Sequence, residues 1–143
     1  MGRKIVTGYA QMWPRAVFDM RDIEKKMIGW ENLDKPGVYV LYRDDQPYYI
    51  GMTKANLFHR VWQHANQPKD KWYNFWNFFS AFVVPDVKLI PQIESILIAA
   101  MPTANGANPE IERIDMPMEV IELVHSLRKL SVKAAMGARA GTP

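Results

Sequence analysis

The chain contains no cysteine among its 143 residues, which excludes disulfides, thiolate metal ligands and cysteine nucleophiles. Any chemistry must therefore use oxygen and nitrogen groups, and a zinc finger is excluded. The sequence also lacks an apolar run of the roughly 18 residues needed to cross a bilayer. Its first residues, MGRKIVTGYAQ, lack the apolar centre of a signal peptide. We therefore expect an intracellular, cytoplasmic protein with no membrane partner.

Acidic residues are scarce in two long stretches of the sequence. Residues 52–85 contain Asp70 as their only acid, and residues 125–143 contain none. The net charge is only +3, but this distribution predicts two basic faces separated by an acidic stretch at 110–122. An ordinary solvated surface is the alternative. Basic faces suit phosphate contacts without sequence readout, so the candidate nucleic-acid-binding residues are Lys54, Lys69, Lys71, Arg128, Lys129 and Lys133.

Length and a hydrophobic content of 48% indicate one domain, residues 1–143, with a real core. Apolar residues near a 3.6-residue period predict an amphipathic helix over 13–30, through Val17, Met20, Ile23 and Met27. Another helix is predicted over 116–136, with an exposed basic end.

The middle of the chain predicts a small sheet with helices. GVYVLYR and PYYIGMT are β-branched and aromatic runs separated by Asp-Asp-Gln, which indicates a hairpin. Asn56 is suited to cap the next helix, and Ser80 to Val84 read as a third strand. A helix over 89–101 follows, with its inward residues predicted to be Ile93, Ile96, Leu97 and Ala100. The expected class is α+β, a small three-stranded antiparallel sheet flanked by helices, with extra N- and C-terminal helices.

Tyr39 and Tyr49 lie ten positions apart on the two strands of this hairpin. Because side chains alternate along a strand, the two tyrosines share a face only if the turn has an odd number of residues. A three-residue turn around Asp44 satisfies this condition, and a two-residue turn does not. Gly51 leaves room for a backbone or phosphate, and Gly37 serves the turn after Pro36. Plain aromatic packing is the alternative for the tyrosines.

Five sequence features occur in a recognisable order. GVY is followed after nine residues by YIG, then by RVWQH, IESILI and PTAN. In this order the series resembles the GIY-YIG nuclease superfamily, with its core over residues 35–108, an N-terminal helical extension over 1–34 and a C-terminal helical extension with a basic tail over 109–143. The resemblance implies a three-stranded sheet flanked by helices and a DNA endonuclease acting on duplex or branched DNA, in repair, restriction or mobile-element movement.

The resemblance also implies a role for each motif residue. One of the two tyrosines activates or orients the attacking water, Arg60 holds a phosphate, and His64 contacts a phosphate or the leaving group. Glu94 is the single ligand of a divalent metal, Mg²⁺ or Mn²⁺, and Asn105 orients a tyrosine or the substrate. Because an unperturbed phenol has a pKa of about 10, a nearby metal or cation must lower that pKa or share the task of activating the water.

Each of these assignments has a competing interpretation. His64 also fits a structural histidine, and Arg60 fits an arginine on the surface of a helix. Glu94 fits a solvent-facing carboxylate or a partner of Arg60 without metal. Asn108 replaces Asn105 if the loop is placed differently. The aromatic segment KWYNFWNFF is interpreted as core rather than as a base-stacking surface. For the whole chain, the alternatives are an inactive nucleic-acid-binding module and a protein-interaction domain. A double-strand break would require a homodimer or two encounters.

Overall fold

The computed structural model describes residues 3–71, 73, 75–101 and 109–140, with side chains described up to residue 134. These residues fall into two compact units, residues 1–111 and residues 112–143. The first unit holds every strand that the structure describes. In the second, the described regular structure is one long helix, α4 (Met118–Ala140).

The first unit is built on a four-stranded antiparallel sheet with strand order β1-β4-β2-β3. Its strands are β1 (Gly8–Pro14), β2 (Gly37–Arg43), β3 (Gln46–Thr53) and β4 (Phe78–Val83). Three short or medium helices accompany it, α1 (Trp30–Leu33), α2 (Leu57–Asn66) and α3 (Ile90–Ala100). The α+β class is therefore confirmed, whereas the expected count of three strands was one too few.

The predicted helix over residues 13–30 was wrong, because the structure forms other elements in this N-terminal segment. Its first part forms β1, which pairs with β4 from Gly8 opposite Val83 to Pro14 opposite Phe78. A 3-10 helix, Arg15–Asp19, follows, and an isolated bridge then joins Arg21 to Met27. Ile23, expected on the buried face of a helix, is fully exposed. The apparent 3.6-residue spacing was therefore accidental.

The two faces of the sheet carry different apolar clusters. One cluster contains Tyr39 and Leu41 of β2 and is covered by α2 and the 3-10 helix after β1. The other contains Val38 and Val40 and is covered by α3, which packs along β2 and the edge strand β3. Strand β2 is buried on both faces because its residues alternate between these clusters.

Helix α2 forms as its sequence predicts. The side chain of Asn56 accepts a hydrogen bond from the backbone N–H of His59, which caps the first turn. Its buried face contains Leu57, Val61 and Ala65 at four-residue spacing. This burial fixes the rotation of the helix, so that the next face, with Arg60 and His64, is held against the sheet.

Helix α3 begins with Pro91 in its first turn, as predicted. Its inward face was only partly predicted, because Ile93 and Leu97 pack in the core whereas Ile96 is 57% exposed and Ala100 is also exposed. Among the described residues, no helix is long and apolar enough to span a membrane.

Candidate active site

Tyr39 and Tyr49 lie on the same face of the hairpin, with ring centroids 6.1 Å apart. Tyr39 is opposite Gly51, and Tyr49 is opposite Leu41. The predicted shared face is therefore present, but its cause differs from the predicted three-residue turn. The turn contains two residues, Asp44 and Asp45, and the odd residue is supplied by a β-bulge at Tyr48, because Tyr42 is opposite Pro47.

Gly51 is required by the packing of Tyr39. A Cβ atom at Gly51 would overlap the hydroxyl group of Tyr39, and it would also lie within 2.8 Å of the Tyr49 ring. The aromatic rings of Tyr39 and Tyr49 thus fill the space beside Gly51. The expectation that a backbone or a phosphate could enter this space was wrong. Gly37 likewise permits a close approach, since a Cβ there would overlap the carbonyl oxygen of Phe82 on β4.

Three side chains form a hydrogen-bonded chain below the hairpin. The Tyr39 hydroxyl lies 2.8 Å from Nε2 of His64, and Nδ1 of His64 lies 2.9 Å from Oδ1 of Asp70. A carboxylate only accepts hydrogen bonds, so Nδ1 of His64 carries the proton that is donated to Asp70. In the neutral ring, Nε2 is then an acceptor, and the Tyr39 hydroxyl donates to it.

The environment keeps both the phenol and the imidazole neutral. Burial raises the pKa of Tyr39 far above its ordinary value of 10.0, and the neighbouring Tyr49 raises it further, against a lowering by Arg60. Burial also lowers the pKa of His64 below 6.5, although the hydrogen bond and charge of Asp70 oppose this. A phenolate at Tyr39 and an imidazolium at His64 are therefore both disfavoured in the resting site.

Arg60 and Tyr49 connect this buried chain to the surface. Both are half-buried, whereas Tyr39 has no exposed surface. The guanidinium of Arg60 hydrogen-bonds to Oε1 of Gln63 at 3.0 Å, and its charge lowers the pKa of Tyr39 and of His64. The cation thus lies close to both groups, with donors left to bind an anion from solvent.

Glu94 is on a different helix from Arg60 and His64. It belongs to α3, which packs on the face of the sheet opposite to that of Tyr39 and along the edge strand β3. The structure brings together the two tyrosines, Arg60 and His64, whereas the expected metal ligand is on the helix of the other face.

The surroundings of Glu94 suit a cation. Burial raises the pKa of this half-buried carboxyl above 4.5, and the charge of Glu110 raises it further. Glu110 is held nearby because its backbone N–H donates to Oγ of buried Ser95 at 2.8 Å. Within residues 3–71, 73, 75–101 and 109–140, no cluster of three His, Asp or Glu could hold a metal ion. A cation at Glu94 would then take most ligands from water and phosphate, as Mg²⁺ readily does.

The other predicted residues have simpler outcomes. Asn105 and its alternative Asn108 lie outside the described residues. Lys54, Lys69 and Lys71 are exposed in the loops around α2, and the exposed basic residues of α4 are Arg128, Lys129 and Lys133. In the aromatic segment, Trp76 and Phe79 are buried in the core, as interpreted from the sequence, while Phe75 packs edge-on against Tyr48.

Asp70 is the site residue that the motif did not identify. It follows α2 and is largely shielded, with 11% of its side chain exposed. Its signal in the sequence was its isolation, because it is the only acid between residues 52 and 85 and follows His64 by six positions. A single acid among basic residues indicates a specific partner for its carboxylate, and the partner of Asp70 is the imidazole of His64.

Comparisons of the chain with protein-family models, curated proteins and solved structures gave no match. The resemblance to the GIY-YIG superfamily therefore rests on the motif residues themselves.

Proposed function

We propose that this chain is a GIY-YIG-type endonuclease that hydrolyses phosphodiester bonds in DNA with the help of one divalent metal ion. The observation that carries the proposal is the hydrogen-bonded chain from Tyr39 to His64, located beside the guanidinium of Arg60. The hydrogen bond from Tyr39 to His64 supplies a route for a proton. The guanidinium of Arg60, at the same place, supplies a positive charge that can bind a phosphate. The three-stranded family sheet corresponds in this proposal to β2, β3 and β4, and β1 is an addition.

The proposed reaction starts at Tyr49, the tyrosine that reaches solvent. Its hydroxyl positions the attacking water and is hydrogen-bonded with that of Tyr39. As the water oxygen bonds to phosphorus, its proton moves into the tyrosine pair, and a phenolic proton moves to Nε2 of His64. The phosphorus–oxygen bond to the leaving strand breaks, and the leaving oxygen takes a proton from solvent. No free phenolate is required, which agrees with the raised pKa of Tyr39. Asp70 stabilises the resulting imidazolium.

Arg60 binds the phosphate and stabilises the charge that develops on its oxygens. Glu94, with Glu110 nearby, would hold Mg²⁺ or Mn²⁺, which would supply Lewis-acid activation of the phosphate. Lys54, Lys69 and Lys71 extend a basic surface along the loops on either side of α2 and attract the backbone without reading sequence.

A nucleic-acid-binding module without cleavage is the second candidate. The location of Glu94 on α3, which covers the sheet face opposite to that of Tyr39, favours it, because the expected metal ligand and the residues Arg60 and His64 are then on helices of different faces. This candidate keeps the basic surface and the salt-dependent affinity but uses the tyrosine and histidine as core groups.

The deciding experiment measures nicking of supercoiled plasmid and of a branched DNA, with and without Mg²⁺. We expect metal-dependent cleavage by the unaltered protein, a loss of about 100-fold or more in Glu94→Ala and none in Glu31→Ala, an exposed acid of α1. Undiminished cleavage by Glu94→Ala would contradict the metal role. DNA binding that weakens with salt, without cleavage by any divalent metal, would establish the second candidate instead.

A further inference from the structure

Helix α4 has an apolar stripe that is exposed along its described length. Val120, Leu123, Leu127 and Leu130 follow one another at spacings of three, four and three residues. Their exposed fractions are 40%, 56%, 54% and 63%. Monomeric proteins rarely leave such a continuous row of large apolar side chains in water. The stripe is therefore suited to pack against another apolar surface.

The spacing identifies the kind of partner that fits this stripe. Alternating steps of three and four residues are the a and d positions of a coiled coil, with Val120 and Leu127 at a and Leu123 and Leu130 at d. A strict 3.5-residue repeat presents one narrow seam, which another helix with the same repeat covers completely. The four seam residues span residues 120–130, about one and a half heptads of the 23-residue helix α4.

Charge decides the direction in which two such helices pair. Glu119 and Glu122 lie in the N-terminal part of the helix, and its basic residues lie towards the other end, at Arg128, Lys129 and Lys133. A parallel pair would place like charges together, whereas an antiparallel pair places the acidic part of each helix beside the basic part of its partner.

The antiparallel register follows from the same four apolar residues. If Val120 packs against Leu130 of the partner subunit and Leu123 against Leu127 of the partner subunit, all four residues are buried in each helix. This register aligns Glu119, at a g position, with Lys133 of the partner subunit, also at g, and does so twice by symmetry. In a parallel pair Glu119 would instead meet an apolar residue, Val124 of the partner subunit.

We propose that the protein forms a homodimer through antiparallel pairing of α4. The dimer rests on α4 alone and does not depend on the proposed nuclease activity. If that activity holds, one dimer carries two active sites, which is the number needed to cut both strands of a duplex in one encounter. Arg128 and Lys129 lie outside the seam and remain available for phosphate contacts.

The test is sedimentation equilibrium of the full chain in the absence of DNA. We expect twice the 16.5 kDa mass of one chain for the unaltered protein and a single-chain mass for Leu127→Glu. Val132→Glu is the matched control, since Val132 is 59% exposed on the same helix but lies outside the seam. A single-chain mass of the unaltered protein at about 100 µM, or an intact dimer of Leu127→Glu, would overturn the proposal.

Charge reversal tests the direction of pairing without touching the apolar seam. Glu119→Lys and Lys133→Glu should each raise the dimer dissociation constant by roughly tenfold, because two attractive pairs become repulsive. The double variant should restore the original constant within about twofold, because both pairs are attractive again. Failure of the double variant to recover affinity would exclude the antiparallel register. Near-ultraviolet circular dichroism of the tryptophans, all of which precede α4, shows that each variant remains folded.

Discussion

The Tyr39 hydroxyl lies 2.8 Å from Nε2 of His64, and both side chains are buried. The pair is held from opposite sides, because Tyr39 belongs to the inner strand β2 and His64 to the capped helix α2. A buried imidazole nitrogen that accepts from a phenol is satisfied only while this strand and helix stay together. The same contact therefore serves the stability of the fold and the proposed movement of a proton.

Tyr39→Phe is expected to lower both stability and cleavage. The substitution leaves Nε2 of His64 buried without its donor, which costs about 1–3 kcal/mol in the free energy of unfolding. Loss of the proton route should lower kcat by about 100-fold or more. Urea unfolding and plasmid nicking measure the two effects. Tyr48→Phe is the control on the same hairpin and should change neither, and equal cleavage by Tyr39→Phe and wild type would rule out the proton route.

Asp70→Asn is expected to change the titration of His64. Asp70 raises the pKa of His64 by its hydrogen bond and its charge, so removal of the carboxylate should lower that pKa further. Because the imidazolium is less stabilised, cleavage should fall by about 10-fold or more. Imidazole NMR signals followed against pH report the pKa directly. Asp45→Asn, an exposed change in the hairpin turn, should leave the titration unchanged, and a raised pKa in Asp70→Asn would show that Asp70 does not support the imidazolium.

The burial of His64 gives stability a defined pH dependence. The unfolded chain binds a proton near pH 6.5, but the folded protein binds it only at lower pH, because burial lowers the pKa of His64. The unfolded state therefore holds more protons below about pH 6.5, and stability falls as pH falls from 7 through this window. Thermal unfolding at several pH values measures the slope. His64→Gln should remove that contribution and exposed His125→Gln should keep it; an identical slope in all three proteins would argue against it.

Gly51→Ala is expected to disturb the site from the strand side. The added Cβ overlaps the Tyr39 hydroxyl, so the ring must move and its bond with His64 must lengthen or break. Overpacking of this kind costs about 1–3 kcal/mol in stability. Gly8→Ala is the matched control, since a Cβ at Gly8 meets nothing within 4 Å. Comparable unfolding midpoints for the two variants would mean that the close approach at Gly51 is not required.

Glu94→Gln separates the metal site from the stability of the fold. Removal of a half-buried charge beside Glu110 should raise the unfolding temperature measured in EDTA. Addition of Mg²⁺ should raise the unfolding temperature of the unaltered protein, because the cation binds the folded state, and should have little effect on the variant. The exposed change Glu31→Gln should respond to Mg²⁺ as the unaltered protein does. An equal Mg²⁺ response in Glu94→Gln would place the metal elsewhere.

The local signals in the sequence were sufficient for α2 and for the hairpin. Asn56 sits one residue before a regular apolar face, and the Asp44–Asp45 turn separates two β-branched runs, so each element is specified within a few neighbouring residues. Within the segment over 13–30, only Trp13 and Pro14 belong to β1, whose pairing with the distant β4 no local spacing can indicate. Further on, the side chain of Asp22 accepts hydrogen bonds from the backbone N–H groups of Glu24 and Lys26, and this local turn takes the place of a helix.

The candidate site likewise contains residues that the sequence identifies and residues whose position depends on tertiary structure. Tyr49, Arg60 and His64 were found because they belong to an ordered motif, and their approach to Tyr39 follows from a hairpin packed under a capped helix. Asp70 belongs to no motif, and its role depends on the path of the loop after α2. The position of Glu94 relative to the tyrosines depends on which sheet face α3 covers, a choice that apolar periodicity leaves open because both faces of β2 are apolar.

The bulge at Tyr48 has a consequence for variation in chain length. Five opposed pairs, from Gly37 with Thr53 to Leu41 with Tyr49, fix the alignment of the two tyrosines on their own. With a two-residue turn, one residue of β3, Tyr48, has no opposed residue on β2, and the bulge accommodates it. Insertions and deletions between residues 42 and 48 can therefore be accommodated by gaining or losing a bulge. The tip of the hairpin is free to change length over evolution while the tyrosines keep a common orientation.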